Sequence, residues 1–294
     1  MSGPRHFAPF LVTLGAVGLL SLMDAVMKQS ALAVGTYNTL LVRSLFAIAL
    51  AAPIYLAIRN GLPSRQAMRL HLLRGTVGTA MAFTFFWSLT KLPLAEAIAL
   101  SFTSPLLALY LAAILLGERI GKGAIGASLM GFAGVLVIAW GRMGGPASDS
   151  GTAWGIASVL ASSMLYAWNL VLQRQQAQVA KPAEVALFMT VVAAFWFALA
   201  APWHFTPPPA DEIAPIAVAA AMSVGGAMML AWAYARAEAQ ALVPLEYSGF
   251  LWAALFGWLF FREGVTAPTL VGAVLIVIAC WIAAPRKPPE MTVA

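Results

Sequence analysis

The chain is patterned as ten long apolar runs separated by short polar turns. The runs cover residues 8–32, 37–58, 70–90, 94–116, 121–140, 152–174, 183–203, 213–235, 240–261 and 267–284. Each is close to the twenty residues or so that a helix rising about 1.5 Å per residue needs to cross roughly 30 Å of hydrocarbon. Polar side chains inside the runs recur every third or fourth position, a helical period, rather than alternating as in a membrane barrel. The pattern therefore predicts ten transmembrane helices. The longest turn, between the second and third runs, has about ten residues, which leaves no room for a soluble catalytic or nucleic-acid-binding domain. The first run is too long for a removed signal peptide, and it lacks the small-residue cleavage pattern.

The pattern also repeats. Val77-Gly78-Thr79-Ala80-Met81 returns 147 residues later as Val224-Gly225-Gly226-Ala227-Met228, and Leu50-Ala51-Ala52-Pro53 returns 149 later as Leu199-Ala200-Ala201-Pro202. Glu118 is answered by Glu263, 145 residues on. Three echoes in one order at nearly one offset predict a duplication of five helices. An odd number of spans forces the second copy to enter from the opposite face, so the repeats are expected to be inverted around a central cavity. The expected organisation is a first repeat over 1–144, an external linker over 145–151, a second repeat over 152–285 and a cytoplasmic tail over 286–294.

Composition fits lipid as the solvent. Hydrophobic residues make up 62% of the chain and charged residues 10%, against roughly 25% charged in soluble domains. Of the 17 Lys and Arg residues, twelve fall at one face and four at the other, with Arg43 alone inside a span. By the positive-inside rule both termini are cytoplasmic, and the net charge of +6 reflects topology rather than nucleic-acid binding. The single cysteine, Cys280, permits no intrachain disulfide, and His6, His71 and His204 stand apart at span ends without metal-ligand spacing. No phosphate-cradling glycine motif is present. Neither a metal nor another cofactor is expected.

Two stretches close a span on an acidic turn and open the next on small residues. Leu116-Gly117-Glu118-Arg119 leads to Gly126-Ala127, and Phe261-Arg262-Glu263 leads to Gly272-Ala273. With Ala231-Trp232-Ala233-Tyr234-Ala235-Arg236-Ala237 and Val243-Pro244-Leu245-Glu246-Tyr247, they make the chain resemble the drug/metabolite transporter superfamily in its EamA-type branch. Size and aromatic content look most like the YddG-type aromatic amino-acid exporters. The first half departs slightly: nine residues after Glu118 stands Ala127, where Gly272 follows Glu263. The resemblance implies a multi-pass protein of a bacterial cytoplasmic membrane, exporting amino acids or related small metabolites without ATP or prosthetic group. It leaves homo-oligomer formation open.

The residues themselves suggest where a solute would sit. Ser158, Ser162, Tyr166, Asn169 and Gln173 share one face of the sixth span, at intervals of 4, 4, 3 and 4. They form either a polar cavity wall or a set of interhelical hydrogen bonds. Thr76, Thr79, Phe83, Trp87 and Thr90 form a face of the third span, with Ser223, Leu230, Tyr234 and Glu238 along the eighth and Trp232 nearby. Phe83, Trp87, Trp232, Tyr234 and Tyr247 could sandwich a planar side chain, or else anchor helices at the membrane surface. Ser101 is a further cavity candidate. Arg43 could neutralise a substrate carboxylate or pair with Asp24, and Asp24 and Lys28 lie one turn apart and could pair locally. Glu96, read as shallow, and Glu246 could bind a substrate ammonium, carry a coupling proton or act as caps. Pro53 and Pro202 are matched hinge candidates in spans two and seven. The dispersed polar groups argue against an intramembrane enzyme. Alternating-access export of aromatic or bulky apolar amino acids is the expected function, with other small metabolites or drugs as the alternative.

Overall fold

The computed structural model describes residues 8–58, 63–116, 122–143, 150–237 and 239–283, which form twelve helices and no strand. In chain order these are α1 (Ala8–Val34), α2 (Thr36–Ile58), α3 (Arg65–Leu89), α4 (Leu94–Ser101), α5 (Ser104–Leu116) and α6 (Lys122–Met143). Then follow α7 (Ser150–Ala177), α8 (Pro182–His204), α9 (Ala210–Tyr234), α10 (Ala239–Glu246), α11 (Gly249–Phe261) and α12 (Ala267–Ala283). Glu118, Glu238 and residues 145–149 of the expected linker lie outside the described residues.

Local chemistry sets the helix ends. Gly35, at φ 84°, turns α1 into α2 in a single residue, a backbone conformation that a side chain resists. Ser64 caps α3 by accepting the Ala67 amide at 3.1 Å. Arg262 closes α11 in the left-handed region at φ 56°. Six helices (α1, α2, α6, α7, α8 and α9) are long and apolar enough to cross a membrane. α3 has the length, but its first ten residues carry Arg65, Arg69, His71 and Arg74.

The fourth and ninth runs, expected to be continuous helices, are each broken in two. The breaks fall at Phe102-Thr103 and at Tyr247-Ser248, again 145 residues apart. A broken helix strands carbonyls that hydrocarbon cannot solvate. At the first break Ser104 Oγ takes up Ser101 O at 2.6 Å, while Ser101 Oγ adds a second bond to Ile98 O at 2.8 Å and Thr103 Oγ1 one to Leu100 O at 2.7 Å. The Cys280 thiol covers Phe102 O at 3.1 Å. The rings of Phe102 and Tyr247, one from each break, meet edge-on at 5.1 Å.

Packing follows the duplication. Exchanging α1–α6 for α7–α12 turns the α1·α9 contact into α7·α3, α2·α9 into α8·α3, α1·α11 into α7·α5 and α1·α10 into α7·α4, and each of these pairs is packed. The α2·α8 and α6·α12 pairs map onto themselves. The exchange is not exact: α1 packs against α2, and α4 against α12, without comparable counterparts in α7 with α8 and α10 with α6 among the described residues. α4 also packs against α11, but its counterpart, α5 with α10, shows no comparable packing among the described residues.

α6 and α12 approach through glycines. A Cβ on Gly272 would lie 2.6 Å from Gly134 O and 2.5 Å from an Ile138 methylene, and one on Gly134 would lie 2.7 Å from Gly272 O. Backbone cannot yield as a flexible side chain can. Gly272→Ala is therefore expected to prise the two helices apart at a cost of about 1–3 kcal/mol. Thermal unfolding in detergent should show this as a lowered midpoint, whereas Gly123→Ala, which meets open space, should leave it unchanged.

Candidate functional site

Three polar side chains far from the helix ends keep accessible surface: Asp24 on α1 and Arg43 on α2, both half-buried, and Tyr166 on α7, which is exposed. Arg43 lies seven residues into α2, about 10 Å from its start. Its Nη2 donates to Ser223 Oγ on α9 at 3.0 Å, and its guanidinium stands 5.6 Å from the centre of the Phe86 ring. Asp24 is within electrostatic reach of Arg43 but makes no ion pair or hydrogen bond with it. Tyr166 lies within electrostatic reach of Arg74, Tyr234 and Glu246.

Below Tyr166, toward the start of α3, a polar network ties three helices. Arg74 donates from Nε to Asn169 Oδ1 at 2.9 Å, from Nη2 to Gln173 Oε1 at 3.1 Å and from Nη1 to Gln176 Oε1. Gln176 also bonds His71 Nδ1 at 2.7 Å, and His71 Nε2 meets Glu184 of α8 at 2.7 Å. His71, expected to stand apart at a span end, lies inside α3 and is fully buried, its ring stacked on Phe188 at 4.7 Å. On the neighbouring wall, Tyr234 donates its hydroxyl to Glu246.

The opposite end of the bundle holds a separate cluster of charges. Lys28 pairs with Glu263 and donates to Leu92 O at 2.8 Å, with the Phe261 ring 4.8 Å from its ammonium. Glu263 Oε2 in turn accepts the Leu94 amide at 2.8 Å, which satisfies the start of α4. Gly257 leaves room for that carboxylate, since a Cβ there would lie 3.1 Å from it. The local pairing of Lys28 with Asp24 is thus not made; the ammonium points to a glutamate 235 residues away. Glu96 sits in the first turn of α4 yet is 2% exposed; it accepts the Thr269 hydroxyl at 3.1 Å and has Arg142 Nε 3.4 Å from its other oxygen. This cluster clamps α1, α4, α6 and α12 around the end of α11.

The remaining predicted residues divide by their partners. Ser158 and Ser162 donate to Thr84 O at 2.8 Å and Met81 O at 2.9 Å, so they clasp α7 to α3. Thr79 bonds its own helix at Gly75 O, and Ser101 serves the α4 break. Trp87 carries Lys91 over its ring at 5.8 Å and Trp232 carries Arg236 at 4.3 Å, both at helix ends, as membrane-surface anchors do. Phe83 is exposed, and Tyr247 packs on Phe102. Pro53 and Pro202 both lie inside continuous helices with exposed side chains. Arg74, Gln176, Glu184 and Arg142 were not singled out from the sequence. His71, Arg74 and the amides of α7 do sit at helical spacing, which was the available signal.

Comparison with known proteins gives a consistent result. Residues 8–140 and 153–284 each match the EamA-like transporter family. The "Pseudopaline exporter CntI" of Pseudomonas aeruginosa is 28% identical over 88% of this chain and 90% of its own. A "Riboflavin transporter" of Brucella anthropi is 28% identical over 79% of this chain and 82% of its own. A solved crystal structure that is 23% identical superposes with a TM-score of 0.62 over 94% of this chain and 96% of that one, a likeness of fold. These relatives support the family without singling out its aromatic amino-acid exporters.

The Lys28–Glu263 pair yields a direct test. Lys28→Met leaves the carboxylate without its cation, and breaking a buried pair costs about 3–5 kcal/mol. Adding Glu263→Gln, which keeps an acceptor for the Leu94 amide, should restore much of that loss. Thermal unfolding of both variants in detergent reads the difference.

Proposed function

The chain belongs to the EamA-like transporter family, and we propose that it exports small zwitterionic metabolites, aromatic or bulky apolar amino acids first among them, by alternating access. The observation that carries this reading is that Asp24 and Arg43, opposite charges well inside their helices, stay half-buried and unpaired with each other in a duplicated chain of this family. Two inverted five-helix repeats, with the broken pairs α4/α5 and α10/α11 each counted as one span, give ten spans with both termini in the cytoplasm.

Two of the asymmetries, α4 with α11 and α4 with α12, fall at the same end of the bundle and support a definite resting state. α4 meets α11 at the Lys28 end, whereas α5 and α10 lack the matching contact. By the distribution of Lys and Arg, the Lys28 end is external, so the reading is of a carrier closed outside and open to the cytoplasm. An exporter waits in that state to load. Closure inside would bring α5 and α10 together, and opening outside would part the Lys28–Glu263 cluster.

A second reading keeps the mechanism and changes the cargo. The relatives are named for pseudopaline and riboflavin, which favours a metabolite other than an amino acid. Reconstituted proteoliposomes separate the two. Labelled phenylalanine or tryptophan should show saturable flux without ATP, competed by unlabelled solute. If both are inert while another metabolite moves saturably, the second reading holds; if no solute moves, the carrier reading falls.

A further inference from the structure

We propose that Asp24 and Arg43 form a split ion pair whose gap receives the ammonium and the carboxylate of one zwitterionic solute. The proposal rests on the carrier reading above and assigns the residues that read its cargo. Most of the charged groups within the bundle already have a partner. Lys28 is held by Glu263 and Leu92 O, Arg74 by three side-chain amides, Glu96 by Thr269 with Arg142 alongside, and Glu246 by Tyr234.

Asp24 and Arg43 do not fit that pattern. They carry opposite charges, lie within electrostatic reach and leave each other untouched. A guanidinium offers five N–H donors. Among the described residues only one hydrogen bond from Arg43 is made, to Ser223. Asp24 accepts none. Two opposite charges in a low-dielectric setting gain most by touching, so holding them apart costs free energy that must be recovered elsewhere. Their surroundings show how they are held: Ser223 and the Phe86 ring draw the guanidinium toward α9 and α3. Lys28, the cation one turn along α1, is turned away to Glu263.

A zwitterion fits the gap by charge and by hydrogen bonding. Its ammonium donates to Asp24, its carboxylate accepts a pair of guanidinium N–H groups, and the filled site is neutral overall. A solute with only one charge satisfies one residue and leaves the other bare in the bundle. Selectivity comes from that mismatch, as a site built for a polar group rejects the analogue that lacks it. The side chain of the solute would remain free to meet aromatic surface, so the pair reads the head group and not the side chain.

The test is a binding comparison on purified full-length protein. The probes are L-phenylalanine, L-tryptophan and L-methionine, each with the amine that lacks its carboxylate and the acid that lacks its amine. The wild type is expected to bind at least one zwitterion tenfold or more tightly than either of its single-charge counterparts. Arg43→Gln should erase the preference over the amine and keep that over the acid; Asp24→Asn should do the reverse. A merely structural pair would weaken all probes alike, and that result overturns the proposal. The wild-type comparison decides even if a variant fails to fold: equal affinity for zwitterion, amine and acid, or binding of no zwitterion, is also fatal. Such a failure alongside saturable flux of another solute would leave the carrier reading intact.

Discussion

Hydrocarbon supplies no hydrogen bonds, so every backbone break and every charge inside this bundle must find its partner in the protein itself. The first break shows the rule at the scale of single atoms. Between α4 and α5 the helix stops for two residues; Ser104 and Cys280 cover Ser101 O and Phe102 O, while Ser101 and Thr103 add second bonds to Ile98 O and Leu100 O. Interrupting a helix at membrane depth is possible there because the sequence supplies a short run of hydroxyls and a neighbouring thiol. The same rule explains why Lys28 reaches both a carboxylate and a carbonyl, and why that carboxylate also serves the amide that starts α4.

Applied to the whole bundle, the rule sorts polar residues by role. Those with complete local partnerships hold helices together: Ser158 and Ser162 between α7 and α3, Arg74 across three amides of α7, and His71 between Gln176 and Glu184. Those with incomplete partnerships and accessible surface are available to something else. Among the described residues, Asp24, Arg43 and Tyr166 are of this second kind. None of them is conspicuous by charge alone, since the chain has other buried ions; they stand out by what they lack.

Helix positions and the duplication were legible in the sequence because both follow local patterns. Apolar run length placed the spans, and short echoes at one offset placed the halves that the family matches separately. The stripe of Ser158, Ser162, Tyr166, Asn169 and Gln173 was visible from its spacing, but spacing could not say which members face α3 and which face open space. The breaks were hidden because neither Phe102-Thr103 nor Tyr247-Ser248 contains glycine or proline; Pro105 and Pro244 only flank them. The Lys28–Glu263 pair was hidden for a different reason. Its partners are 235 residues apart, and the nearby Asp24 offered a closer and mistaken match. Arg74 was read as a topological charge because it sits near a helix start, yet its long side chain runs inward along α7.

The contact between Phe102 and Tyr247 has a mechanical corollary. A residue can touch its own repeat counterpart only close to the axis that relates the two copies. Any motion that swaps the shapes of the copies must carry this ring pair back onto itself. In such a motion everything distant from the axis would swing while the two rings stayed put, like the rivet of a pair of scissors whose blades are α4/α5 and α10/α11. A rivet couples its blades: the ends on one side cannot close without parting those on the other. In such a device the fit between two aromatic rings governs how tightly the opening of one mouth is tied to the shutting of the other.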